Sequence, residues 1–184
     1  MANSGGRISE ELCAATVARP VIQAVAGLHA KGIAHRHLKP EHIICGSALP
    51  GGALSSMIID FMDAINIKQH SPNSRVGETQ YMAPEVLSKP NAEDIFHKVL
   101  FNGMAEEELP KYNEKADIWS IGVVLIEAMT GRQPFMADTV KEMGQVQQAM
   151  LSDRAPDGTT PMFLTRHGLS PPAVDFLAKV TNPK

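Results

Sequence analysis

The sequence holds little that could staple, anchor or charge-steer the chain. Its two cysteines, Cys13 and Cys45, offer no framework of bridges and suit a reducing compartment. Aromatic residues make up 5% of the 184 positions and Trp119 is the single tryptophan, so the core must come mainly from aliphatic side chains and gap-filling methionines. No long basic run occurs and the formal net charge is -3, which argues against nucleic acid as the main partner. Met1 to Gly6 is small and polar, without the apolar stretch of a signal peptide. The longest apolar run, Ile118 to Met129, is broken by Ser120 and Glu127 and falls short of the roughly 20 residues that span a bilayer. These absences set the expectation of a cytoplasmic or nuclear protein with no membrane partner. What remains, 43% hydrophobic and 20% charged, is ordinary usage for one globular domain.

Residues 1–7 read as a disordered N-terminus. Beyond them Ile8, Leu12, Ala15, Val17, Val21, Ile22, Val25 and Leu28 recur near a period of 3.6, which predicts a helix. Ser9 before Glu10 and Glu11 suits its start, Pro20 should bend it, and Gly32 after Lys31 should stop it. Ile43-Ile44-Cys45 and Met57-Ile58-Ile59 flank the turn chemistry of Pro50-Gly51-Gly52. They predict a small hairpin that leaves Asp60 at a strand end. Ala116 to Thr130 is apolar nearly all round and ends at Gly131, the pattern of a buried helix. Ser170 before Pro171 and Pro172 opens another, with Val174, Leu177 and Val180 on one face.

Between these elements lie three short motifs in a telling order. His35-Arg36-His37-Leu38-Lys39-Pro40-Glu41-His42 comes first, then Asp60-Phe61-Met62, then Ala83-Pro84-Glu85. They resemble the H-R-D-L-x-x-x-N loop, the D-F-G turn and the A-P-E motif of protein kinases. Lys39-Pro40-Glu41 resembles the serine/threonine branch, and Asp117-Ile118-Trp119-Ser120-Ile121-Gly122-Val123 resembles the start of that family's large central helix. The resemblance implies a mainly α, protein-kinase-like C-terminal lobe over residues 8–184, with a small β hairpin at the catalytic cleft. No G-x-G-x-x-G loop or V-A-I-K-like strand precedes His35, so the N-terminal lobe is expected to be absent from this chain. The 31 residues between Glu85 and Asp117 exceed the family's usual spacing and point to an insertion at about 88–112, with Ile95, Val99, Leu100 and Met104 at helical spacing.

The implied reaction is ATP-dependent phosphoryl transfer to a protein Ser/Thr hydroxyl, with ATP and Mg as cofactors and a protein as substrate or partner. By resemblance His37 occupies the catalytic base position, Lys39 meets the γ-phosphate, and Asp60 and His42 occupy the metal positions. Asp117 would hold the loop backbone, with Trp119 and Gly122 packed close to it. His35 and Phe61 would stack, and Glu85 would lack the arginine that normally pairs with it.

Several of these residues depart from the pattern. Histidine replaces the aspartate at 37 and the asparagine at 42, Met62 replaces a glycine, and Glu78 stands at a threonine position. Losing a positioned base costs about 10²–10⁴ in rate, but an imidazole is a poor magnesium ligand. An acid at 78 would face phosphates or Lys39. Impaired catalysis is therefore expected. The readings are a partial copy of a kinase-family enzyme, a pseudokinase module that binds another protein, or a non-functional gene fragment. His35, His37 and His42 also form a candidate transition-metal set, which the loop context explains better. His29, His70, His97 and His167 read as surface or cap residues.

Overall fold

Ser9 Oγ accepts the Leu12 N–H at 3.2 Å and opens α1 (Glu10–Cys13), as its position before two acidic residues predicts. Helix continues through a π turn (Ala14–Ala18) into α2 (Arg19–Ala30). Pro20 explains the π turn. It has no N–H to offer the Thr16 carbonyl, and that carbonyl instead accepts the Ser56 hydroxyl. The distortion foreseen at Pro20 thus lies one turn upstream and ties the helix to a strand. Cys13, Val17, Val21 and Val25 form the buried stripe, whereas Leu12 is exposed. By length and composition alone Glu10–Ala30 could cross a membrane, although its valine stripe is packed into the core. Burial pushes the Cys13 thiol up to about 11. Gly32, at φ +80°, ends the helix where a Cβ would meet the Lys68 side chain at 2.7 Å.

The computed structural model describes residues 6–47, 54–105, 108–156 and 158–182. Met1 to Gly5, most of the expected disordered N-terminus, lie outside that set, while Arg7 Nε donates to the Met129 carbonyl at 3.0 Å. After Gly32 come β1 (Ile33–Ala34), a 3-10 turn (Pro40–His42), β2 (Ile43–Ser47), β3 (Leu54–Ile58) and β4 (Ile65–Asn66). β2 and β3 pair antiparallel from Ile43↔Ile58 to Ser47↔Leu54, which is the expected hairpin. Its turn, with Pro50-Gly51-Gly52, lies outside the described residues. A second antiparallel pair, β1 with β4 in the register Ile33↔Asn66, is too short to leave a periodic signal.

The rest is helical: α3 (Pro84–Leu87), α4 (Ala92–Leu100), α5 (Lys115–Thr130), α6 (Val140–Ser152), α7 (Met162–Thr165) and α8 (Pro171–Val180). α5 is the buried axis, with Trp119, Ile121, Val123, Leu125 and Ile126 in the core, and Gly131 caps it at φ +69°. Gly122 packs against α8 rather than against the loop it was expected to approach. A Cβ there would lie 2.7 Å from Thr181 Cγ2 and 2.9 Å from Val180 Cγ2.

In the segment 88–112, Asn91 and Asp94 form a capping box for α4, which buries none of its residues. Ile95 and Val99 are half-buried, but Leu100, assigned to their face, is exposed with Phe96 and Phe101. Residues 106–107 lie outside the described set. Leu109 and Tyr112, at the far end, belong to the core.

Gly122→Val should cost about 1–3 kcal/mol by overpacking the α5–α8 contact, read as a lower urea midpoint. A change below about 0.5 kcal/mol, the usual range for surface substitutions, would mean that the two helices do not approach this closely.

Candidate functional site

Asp117, in the first turn of α5 and 1% exposed, anchors the His35–His42 loop. Its carboxylate accepts the backbone N–H of His35 and of Arg36, each at 2.8 Å. This contact was expected from the sequence. A third partner was not: His29 Nε2 lies 2.8 Å from Asp117 Oδ2. His29 was read as a surface or cap residue; it lies half-buried in the last turn of α2, following Val21 and Val25 at four-residue spacing on the buried stripe, the one signal for its inward contact. Arg36 sits at φ +66°, a region few non-glycine residues adopt. Its Nε donates to the Asp63 carbonyl at 2.6 Å. Gly77, at φ +99°, lets the later segment cross so close that a Cβ would stand 2.6 Å from the Arg36 carbonyl.

His35 is fully buried, and its Nε2–H donates to the Ile59 carbonyl at 3.1 Å. Burial pushes its pKa below the usual histidine value, with the Ile59 contact opposing. Its Nδ1 accepts the His37 N–H at 3.3 Å, and Phe61 meets its ring edge-on at 4.9 Å. His37 Nδ1 lies 3.0 Å from Asp63 Oδ2. His42, held by the 3-10 turn, donates Nδ1–H to the His37 carbonyl at 2.7 Å and sets Nε2 3.1 Å from Asp60 Oδ2. Lys39 Nζ lies 2.6 Å from Glu78 Oε2, and this hydrogen bond, above all, holds the lysine's pKa above its usual value. Asp60 projects from the end of β3 at φ +61° and accepts the Met62 N–H at 3.3 Å. The left-handed residue of this turn is thus Asp60, while Met62 is 92% exposed and needs no glycine-like backbone.

The structure therefore brings His37, His42 and Asp60 together, with Lys39 nearby but engaged by Glu78. A phosphate reaching Lys39 would have to displace a carboxylate. Magnesium takes near-octahedral oxygen ligands at about 2.0–2.1 Å, yet Asp60 faces an imidazole nitrogen. This donor set does not suit magnesium with a bound nucleotide. Away from the loop, Glu85 Oε2 and Trp119 Nε1 are buried without a hydrogen-bond partner among the described residues. Both residues line a cavity of about 110 Å³ with Lys115, Ile118 and Lys179.

Asp117→Ala should destabilise the chain by about 3–5 kcal/mol, because two buried N–H groups and His29 lose their acceptor together. Amide hydrogen exchange at His35 and Arg36 should quicken more than at the β2–β3 hairpin. Equal protection in the variant and the unaltered chain would show that the loop is held by something else.

Sequence comparison gives the same picture on a larger scale. The protein kinase domain family model matches residues 1–184. The chain is 34% identical over 140 residues to the MAP kinase-interacting serine/threonine-protein kinase 2 of Xenopus laevis, a match covering 71% of this chain and 26% of that protein. It is 32% identical over 146 residues to the serine/threonine-protein kinases AtPK1/AtPK6 and AtPK2/AtPK19 of Arabidopsis thaliana, covering 79% of this chain and 24% of each. It spans about a quarter of the length of these relatives. One family accounts for the chain from end to end, and the chain belongs to it: this is a member of the protein kinase domain family.

Proposed function

We propose that residues 8–184 are the C-terminal lobe of a serine/threonine-type kinase domain, in a cytoplasmic or nuclear setting, whose phosphoryl transfer is impaired. One observation carries the reading: the groups that would handle ATP and its metal are paired with one another. Lys39 is held by Glu78, Asp60 faces His42, and His37 is held by Asp63. His37 alone would not abolish transfer, because an imidazole oriented by a carboxylate can still accept a proton. The loss of Lys39 and of an all-oxygen metal site weighs more, since phosphoryl transfer depends chiefly on positioning and charge neutralisation.

A second reading, a pseudokinase module that binds another protein, is favoured by the helix inserted at about 88–112. Phe96, Leu100 and Phe101 stand exposed there, while the far end of the segment packs into the lobe, with the Tyr112 hydroxyl 3.5 Å from Arg36 Nη1.

Radiolabelled phosphate from magnesium-ATP should not reach generic protein substrates above the level of an Asp60→Ala control. A thermal-shift series with magnesium-ATP should stay flat. A ligand that bound the folded chain at 100 times its Kd would add about 2.7 kcal/mol, well within detection. Transfer above the control, or a saturable shift, would return the chain to the active enzymes.

A further inference from the structure

We propose that His37, His42 and Asp60 bind a divalent transition-metal ion of the zinc class, with Asp63 and the His37 carbonyl orienting the two imidazoles. This goes beyond impaired transfer, because it gives the altered loop a ligand that needs no nucleotide.

The first ground is distance. One ligand atom from each of the three residues lies within 4.8 Å of the other two. A tetrahedral ion with bonds of about 2.0–2.1 Å holds its ligand atoms about 3.3 Å apart. His42 Nε2 and Asp60 Oδ2, at 3.1 Å, already stand at that spacing. The His37 ring lies 4.7 Å from the His42 ring and nearly perpendicular to it, and its ligand atom keeps within the 4.8 Å spread of the three.

The second ground is where the protons must be. A carbonyl oxygen only accepts, so the 2.7 Å contact with the His37 carbonyl puts a hydrogen on His42 Nδ1. In the neutral ring Nε2 then carries a lone pair, and it faces a carboxylate oxygen, another acceptor. Two acceptors this close repel unless a cation lies between them, either a proton or a metal ion. Asp63 likewise takes the Nδ1 hydrogen of His37, leaving Nε2 as the nitrogen with an open lone pair. Metal-binding histidines characteristically hold their second N–H on a carboxylate or backbone carbonyl, and here both do.

The donor set selects the ion. Two imidazoles and one carboxylate suit zinc and its neighbours rather than magnesium or calcium. Three protein ligands leave a fourth position, which water can fill because the side chains of His37 and Asp60 are 23% and 32% exposed. His35 takes no part, being buried with Nε2 on the Ile59 carbonyl. The three-histidine set read from the sequence is thus corrected to two histidines and Asp60, because Asp60 projects toward His42 from the hairpin.

The test uses the metal-free chain in excess magnesium. Zinc titration by calorimetry should give one saturable equivalent, and cobalt should give a visible absorption spectrum that zinc abolishes. His42→Ala and Asp60→Ala should each weaken zinc binding at least about 100-fold. Asp63→Ala should weaken it about 10–100-fold, the usual effect of losing an orienting partner. Cys45→Ser and His97→Ala should leave it unchanged. NMR of the unaltered chain supplies a readout independent of whether the loop variants fold: zinc should shift the imidazole signals of His37 and His42 and leave those of His70 and His97 in place. No saturable zinc binding would overturn the proposal and leave a protonated imidazole as the cation facing Asp60. Binding that survives the double variant His37→Ala/His42→Ala, or shifts confined to His70, His97 or Cys45, would overturn it too.

Discussion

The contact on which the site depends is the buried carboxylate of Asp117, which gathers two backbone N–H groups of the loop and His29 from α2. One residue at the start of the central helix thereby joins α5, α2 and the His35–His42 loop. Hydrogen bonds to a charged group contribute about 1.5–3 kcal/mol each, enough to offset the left-handed backbone at Arg36, which costs about 1–3 kcal/mol. The downstream chain then closes over this turn, where Gly77 alone permits contact with the Arg36 carbonyl. Positions 37, 39 and 42 are aimed from this anchor whatever side chains they carry.

That separation of scaffold from chemistry explains why the altered residues sit without conflict. Each polar replacement has a partner within hydrogen-bond reach: His37 with Asp63, His42 with Asp60, and Glu78 with Lys39. Glu78 without Lys39 would leave its carboxylate without the cation that pairs it. Lys39 without Glu78 would leave a cation free for phosphate. Paired, the groups neutralise one another. Lys39 and Glu78 are satisfied without nucleotide, whereas the His42–Asp60 contact still calls for a cation between its two acceptors.

Legibility from sequence followed the range of the interactions. The Ser9 cap, the Gly32 and Gly131 stops, the α5 core and the β2–β3 hairpin are local patterns, and each lies where its residues predict. The motif order named the family and picked out His37, Lys39, His42 and Asp60, but only three-dimensional placement paired them. The loop histidines could be read as a set of three from their spacing. Asp60 entered the cluster instead of His35 because the hairpin returns the chain beside His42. His29 was missed because a histidine on an otherwise aliphatic stripe carries no charge pattern, and its acceptor lies 88 positions away. Leu100 was placed on the wrong side of α4 because Ile95, Val99 and Leu100 span too wide an arc for one face of so short a helix.

The strain in the site points the same way as its pairing. Among the described residues, Arg36 and Asp60 are the two non-glycine positions with positive φ; Asp60 belongs to the cluster and Arg36 directly precedes His37 in the loop. Such geometry persists only where the surroundings over-determine it. At Arg36 that role falls to Asp117. At Asp60 the hairpin holds the strand end, and the carboxylate accepts the Met62 N–H to close the turn. Relaxing Asp60 into an ordinary extended conformation would swing its side chain away from His42. The backbone thus holds an imidazole nitrogen and a carboxylate oxygen at 3.1 Å with a cation required between them. A geometry that costs free energy to keep and brings two acceptors together is accounted for when a positive charge completes it: a proton on His42 would make the pair an ion pair, and the neighbouring His37 imidazole is what gives the proposed metal ion its third ligand.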